Sequence, residues 1–304
     1  KRLAFLTVLL AARLGATISI QTAWEVRPSL GASTNGGGYV AGTTATTTDY
    51  SIFDNKNAAA CSNCGSSTQD LSTADAVSNG TTTVTSAGAN FVAVKGNIVY
   101  FQGGTGAIAA VRRQVVSVTN TTTIVLDASI AASATMTMNI GGSLDTLATA
   151  LLSNVTDNAI WIKATGTITT TASITLNVGV NPTFNVPPNR LYGYTTTRGD
   201  NGFATIELST NTGLTALNAS GSTGWWIRNI IIDCKSLGTS IGINSSGNGL
   251  IQNVKVRNCT TAGIRMQFNS GGVVMDTEVS GCAGSGAIDS NVDMLTVWNC
   301  YIHD

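Results

Sequence analysis

The chain has 304 residues, of which 43% are hydrophobic and only 11% charged, with 16 Lys and Arg balancing 16 Asp and Glu. That apolar content excludes an intrinsically disordered chain, and a net charge of zero with no basic stripe argues against a nucleic-acid binder. Low charge with abundant Thr, Ser, Asn and Gly fits a β-rich extracellular or virion surface protein, and no apolar run is long enough for a membrane span.

Residues 1–22 open on Lys1-Arg2 and a short apolar run, Leu3 to Ala12, interrupted at Arg13. They read either as a secretory signal peptide or as an upstream extension. Residues 23–142 read as a loop-rich segment with a small antiparallel β module. Its opening is Trp24-Glu25-Val26-Arg27-Pro28, then Gly36-Gly37-Gly38-Tyr39 and a Thr-rich tract to Asp49-Tyr50-Ser51. Cys61 and Cys64 form a CxxC pair with no second pair or His nearby, which leaves a local disulfide, free thiols or a metal pair open, the disulfide being favoured. Alternating runs at Asn97–Phe101, Arg113–Val118 and Thr123–Asp127, the last two joined by Thr119-Asn120-Thr121-Thr122, predict a hairpin-containing sheet. Leu144, Leu147, Ala148, Leu151 and Leu152 follow Gly141-Gly142 and predict a short amphipathic helix within 143–157, placed to cap a stack of strands.

Residues 158–304 read as a solenoid whose first units are irregular, and from residue 227 to 302 one pattern repeats four times: apolar, any, Asn or Asp, small or apolar, any, apolar. Its copies centre on Asn229, Asn253, Asp276 and Asn299, at steps of 24, 23 and 23 residues. A fixed period of this size marks a solenoid whose units bury their apolar faces only by stacking. The alternation after each Asn or Asp is that of a strand with one buried face. Gly, Ser and Thr fill the gaps where a helical repeat would need apolar residues three and four apart. The four Asn/Asp positions are expected to stack as a structural ladder at a sharp bend, because these residues tolerate a left-handed backbone. Gly242, Gly263 and Gly286 are expected at a second bend. Cys234, Cys259 and Cys282 are expected as a column of buried thiols, with disulfides between adjacent units allowed by the spacing. The unit containing Asp304 is expected to continue past the sequence given.

These repeats resemble the right-handed parallel β-helix, or pectate-lyase-like, superfamily over residues 158–304. The Trp24-Glu25-Val26-Arg27 opening, the Asn35-Gly36-Gly37-Gly38 stretch, Asp49-Tyr50-Ser51 and the segment Gly193–Asp200 resemble predicted phage and metagenomic virion-associated β-helix proteins. The resemblance implies an all-β fold, a right-handed parallel β-helix solenoid preceded by the small antiparallel module, in an extracellular or virion setting.

Chemistry is less defined. His303 is the sole histidine, which argues against His-dependent hydrolases and His-based metal sites. Glycosidases of this fold use paired carboxylates, and Asp289, Asp293 and Glu278 are the catalytic candidates. Lyases of this fold class hold Ca²⁺ on carboxylates with Arg or Lys as base. Ca²⁺ is therefore expected only under a lyase reading, and otherwise no cofactor. Glu278 with Lys255 and Asp233 with Arg257 read as ion pairs between adjacent units. Arg198-Gly199-Asp200 reads as a turn. Trp298 and Tyr301, at outward positions, are the ligand-binding candidates, since exposed rings stack on sugar faces; Trp225 and Trp226 invite the same reading. The expected function is a surface or virion-associated β-helix protein presenting a glycan-binding or adhesion face, with a polysaccharide or cell-surface glycan as partner. The alternatives are a polysaccharide lyase or glycoside hydrolase of pectate-lyase-like or tailspike type, and a structural fibre shaft forming a homotrimer.

Overall fold

The computed structural model describes residues 22–40, 71–91, 94–152, 158–176, 189–210, 213–220, 224–246, 249–267, 271–291 and 294–304. The segment 1–21, Cys61, Cys64 and Asp293 lie outside them. The fold is all-β. The first strands are β1 (Thr22–Val26) and β2 (Gly38–Val40), followed by β3 (Leu71–Ser78), β4 (Thr83–Thr85), β5 (Ile98–Gly103), β6 (Ile108–Asn120), β7 (Thr123–Leu126) and β8 (Ser133–Ile140). A short helix, α1 (Leu147–Leu152), then leads to β9 (Asn158–Lys163), β10 (Thr167–Thr170), β11 (Ile174–Thr175), β12 (Asn189–Tyr194), β13 (Ala204–Leu208) and β14 (Thr215–Ala219). The repeat region supplies β15 (Trp225–Arg228), β16 (Ile230–Asp233), β17 (Ile241–Ser246), β18 (Leu250–Gln252), β19 (Lys255–Arg257) and β20 (Ala262–Gln267). The last strands are β21 (Gly272–Met275), β22 (Glu278–Ser280), β23 (Gly286–Asn291), β24 (Leu295–Trp298) and β25 (Tyr301–His303).

Strands β3 to β8 close into a six-stranded barrel in the order β3-β4-β7-β6-β5-β8, every pair antiparallel. Closure leaves this module no free edge. Val84, Val99, Phe101, Val115, Ile124, Leu126 and Met138 fill it. The three alternating runs read from the sequence are β5, β6 and β7, and the barrel is completed by β3, β4 and β8.

From β9 onward successive strands join three sheets in rotation. One sheet has the order β2-β1-β9-β12-β15-β18-β21-β24, the second β10-β13-β16-β19-β22-β25 and the third β11-β14-β17-β20-β23. All neighbours pair in parallel except β1 with β2. Inward residues stack in files: Trp24, Ile160, Leu191, Ile227, Ile251 and Val274 on the first sheet. Ile168, Ile206, Ile232, Val256 and Val279 form the file on the second. These join one continuous core running from Trp24 to Val279. Burying such apolar side chains contributes about 1.5–3 kcal/mol each before the entropy of ordering is subtracted.

The expected boundary at residue 158 is corrected by β1. It pairs in parallel with β9, Trp24 opposite Ile160, so the parallel stack takes its first strand from residues 22–26 and the barrel is an insertion between neighbouring strands. Helix α1 packs by β1, β10 and β11 at the start of the stack: Leu147 and Ala150, with Leu144 just before it, are buried in the core, and the Thr146 hydroxyl caps the helix by accepting from the Thr149 amide at 3.2 Å.

The corner between first and second sheets is built as the Asn/Asp period requires. Asn229, Asn253, Asp276 and Asn299 have φ of 57°, 51°, 52° and 48°. Asn253 Nδ2 donates to Asn229 Oδ1 at 2.8 Å, and Asn299 Nδ2 donates to Asp276 Oδ1 at 2.9 Å. Asp276 can only accept when ionised, and it receives a second donor, Gln252 Nε2, at 3.2 Å.

Two local expectations change. Gly242 and Gly263 lie inside β17 and β20 rather than at bends, and neither has a left-handed φ. Close approach explains them: a Cβ on either would run into the side chain of Val256 or Val279 beneath it. Cys234 and Cys259 are not free thiols in a column but a disulfide, their Cα atoms 5.0 Å apart, a separation within the range a disulfide spans without backbone movement. Cys282 keeps its thiol.

Replacing Asn253 with Ala is expected to cost about 1–3 kcal/mol, through the lost amide bond and a left-handed Ala. Asn253→Gly should cost less, because Gly retains the backbone conformation. Urea unfolding of the two variants checks this; equal losses would mean that the backbone angle contributes nothing.

Candidate functional site

The first sheet carries the most distinctive surface. Two outward columns run along it in register. One reads Glu25, Trp161, Tyr192, Arg228, Gln252, Met275 and Trp298. The other reads Ala159, Arg190, Trp226, Leu250, Val273 and Thr296. Strand neighbours sit about 4.8 Å apart, so side chains of one column touch those of the next strand. The Arg190 guanidinium lies 5.7 Å from the Trp226 ring centre, and that of Arg228 5.7 Å from the Tyr192 ring. Trp161 meets Tyr192 edge-on with ring centres 5.0 Å apart. Burial pushes the Tyr192 hydroxyl above its ordinary pKa, against the opposing pull of Arg190 and Arg228, so at neutral pH it is an uncharged donor. Arg228 Nε has no partner among the described residues. The middle of this face combines half-buried rings with two cations.

At the first strands the same face is closed by a buried polar clamp. Glu25 is fully buried. Its Oε2 accepts from Arg198 Nη2 at 2.7 Å, its Oε1 accepts from the Tyr194 hydroxyl, and Arg27 Nε lies 3.4 Å from Oε1. Arg198 Nη1 reaches the Tyr39 hydroxyl at 2.7 Å, and its guanidinium lies over the rings of Tyr39 and Trp161. Burial and the Glu25 charge raise the Tyr194 pKa, so its hydroxyl stays a donor. The neighbouring loop is folded around Asp200. Its carboxylate accepts the backbone amides of Thr195, Thr196, Thr197 and Gly202. Burial alone would raise the Asp200 pKa, but these bonds outweigh it and hold the carboxyl below the usual range. Arg198-Gly199-Asp200 is therefore a turn, with Arg198 directed into the protein.

The segment between β1 and β2 docks the barrel. Asn35 Nδ2 donates to the Ser143 carbonyl at 2.8 Å, and Arg112 Nε donates to the carbonyls of Asn35 and Gly36 at 3.2 Å. A Cβ on Gly36 would collide with the Ile98 carbonyl, and Gly37 has a φ of 88°. The Trp-Glu-Val-Arg and Gly-Gly-Gly motifs thus meet at one junction between barrel and stack.

The candidates from the sequence are dispersed. Glu278 lies on the second sheet and Asp289 on the third, so they form no facing pair. Glu278 is bound by Lys255 Nζ at 2.9 Å and approached by His303 Nε2 at 3.3 Å, and these partners lower its pKa. Asp289 accepts from Arg265 Nε at 2.8 Å and Ser285 Oγ at 3.1 Å. Asp233, paired with Arg257 Nε at 2.9 Å, is itself buried rather than a surface partner. Trp298 stands on the first sheet at 67% exposure, whereas Tyr301 stands on the second at 65%, its ring tilted 36° to that of His303 with centres 4.5 Å apart. Of the Trp pair, Trp225 points into the core and Trp226 outward. Sequence reading did not find Trp161, Arg190, Tyr192 and Arg228 as a group; their strand alternation was visible, but their register was not.

Among the described residues no three His, Cys, Asp or Glu side chains come together as a metal site, and no helix is long and apolar enough to cross a membrane. No protein family, curated protein or solved structure matches the chain.

Glu25→Gln should cost about 3–5 kcal/mol, because it leaves Arg198 and Arg27 buried beside a neutral partner; chemical denaturation measures it. Asp200 gives a pH signature. Its folded pKa is depressed, so its contribution is complete above the unfolded value of about 3.9 and fades as pH falls toward the folded value. The stability difference between the wild type and Asp200→Asn should be constant from about pH 5 to 8 and shrink below about pH 4.

Proposed function

We propose that the three-sheet stack is a right-handed parallel β-helix of the pectate-lyase-like kind, and that the protein is a secreted or virion-associated surface protein that binds glycans. The face in question is the outer side of the first sheet, with the saccharide lying along its columns. The observation that carries this reading is the in-register set Trp161, Tyr192, Arg190, Trp226 and Arg228. Aromatic rings offer flat apolar area to sugar faces while losing little side-chain entropy.

A lyase or hydrolase has weaker support. Glu278 and Asp289 are on separate sheets and each is held by a cation. A trimeric shaft rests on the repeat alone.

The test is a glycan array with the purified chain. The wild type is expected to bind at least one saccharide class, and Trp226→Ala to weaken that binding about tenfold or more with an unchanged melting temperature. No binding by the wild type would overturn the reading. Incubation with acidic polysaccharides should give no ultraviolet-absorbing unsaturated product.

A further inference from the structure

The cysteines of the repeat are not used by the proposed binding face. Cys234 and Cys259 are buried and linked, while Cys282 is a half-buried free thiol. The strands before them are in register: Asp233 pairs with Arg257, and Arg257 pairs with Ser280. Cys259 and Cys282 then occupy the same place in successive circuits. Each follows a left-handed residue, Asn258 with φ of 58° and Gly281 with φ of 55°. Each sulfur points back to the carbonyl two residues earlier, Cys259 to Arg257 at 3.6 Å and Cys282 to Ser280 at 3.3 Å. Each also sits over a glycine: a Cβ on Gly242 would lie 3.2 Å from Cys259 Sγ, and one on Gly263 3.2 Å from Cys282 Sγ. The Ala283 amide donates to the Cys259 carbonyl at 2.8 Å, which locks the two turns one above the other.

We propose that Cys282 is the resolving thiol of the Cys234–Cys259 disulfide, and that the cross-link exchanges between the Cys234–Cys259 and Cys259–Cys282 positions. Successive circuits are stacked about 4.8 Å apart, within the Cα range of a disulfide. Cys259 therefore stands between two partners, Cys234 to which it is linked and Cys282 at the equivalent place in the next circuit. Cys282 loses its proton to solvent. Its thiolate attacks Cys259 Sγ, the new Cys259–Cys282 bond forms, and the Cys234–Cys259 bond breaks. Cys234 leaves as thiolate and takes up a proton. One disulfide and one thiol are present before and after, so no oxidant or reductant is consumed. Burial raises the Cys282 pKa, which makes the attacking thiolate scarce at neutral pH and the exchange faster in alkali. The thiol moves from a half-buried position to a fully buried one, so exchange withdraws it from reagents in solution.

The experiment uses the oxidised chain without added thiol, held at pH 7 and at pH 9, quenched in acid, alkylated and digested with trypsin. Cleavage at Lys235, Arg257 and Arg265 places Cys234, Cys259 and Cys282 on separate peptides, and fragment ions distinguish Cys282 from Cys300. At pH 9 the Cys259–Cys282 peptide should rise at least several-fold over pH 7, with alkylated Cys234 appearing in step. Cys282→Ser should abolish it. In Cys234→Ser, oxidation should link Cys259 to Cys282. A wild type that retains only Cys234–Cys259 after hours at pH 9, or that joins Cys282 to any other cysteine, overturns the proposal.

Discussion

Parallel strands can stack in register only if the backbone turns the same way at the same place in every circuit, and in the repeat region that condition is met by four left-handed residues. Asn229, Asn253, Asp276 and Asn299 adopt a conformation disfavoured for most side chains. Each is placed where it can offset that cost with a side-chain bond to the neighbouring circuit. The corner sets the phase of the strands on both sides. With it fixed, Ile227 falls over Ile251 and Ile232 over Val256. A slip of one residue would turn each of these apolar files toward water. The outward columns depend on the same phase, because Arg190 meets Trp226 only while Leu191 meets Ile227.

How much of this was legible in the sequence depended on the regularity of the offset. From Asn229 onward the spacing of 23 or 24 residues exposed strands, corner and inward files together. Earlier circuits pair Ile160 with Leu191 and Leu191 with Ile227, offsets well beyond 24, because loops of unequal length intervene. The alternation of Ala159–Lys163 and Arg190–Tyr194 was visible there, but the partners were not. The aromatic and arginine columns fall in that irregular stretch. Strand β1 was hidden for a stronger reason: the whole barrel separates it from β9, and no local signal records a pairing of that reach. The disulfide was one of the alternatives left open by spacing, since a fixed period brings cysteines near one another without setting the direction of their Cβ atoms.

Charge is used sparingly and mostly in pairs. Lys255 with Glu278, Arg257 with Asp233 and Arg265 with Asp289 bridge adjacent strands. The half-exposed Lys255–Glu278 and Arg265–Asp289 pairs contribute little individually, whereas Asp233 is buried and depends on its partners. Glu25 is a different case. A buried carboxylate is stable only with its lone pairs satisfied, and three side chains from three segments, Arg27, Tyr194 and Arg198, supply donors to it.

That arrangement imposes an order on synthesis. Glu25 and Arg198 are 173 residues apart, and β1 likewise finds β9 only after the barrel has been made. At translation rates of about 5–20 residues per second, roughly 10 to 30 seconds pass between the appearance of Glu25 and that of its arginine. Until then β1 has only β2 beside it and Glu25 only Arg27, while the strand pairings of the barrel are all internal. The nascent chain would therefore carry a finished barrel while residues 22–40 still waited for their place in the stack.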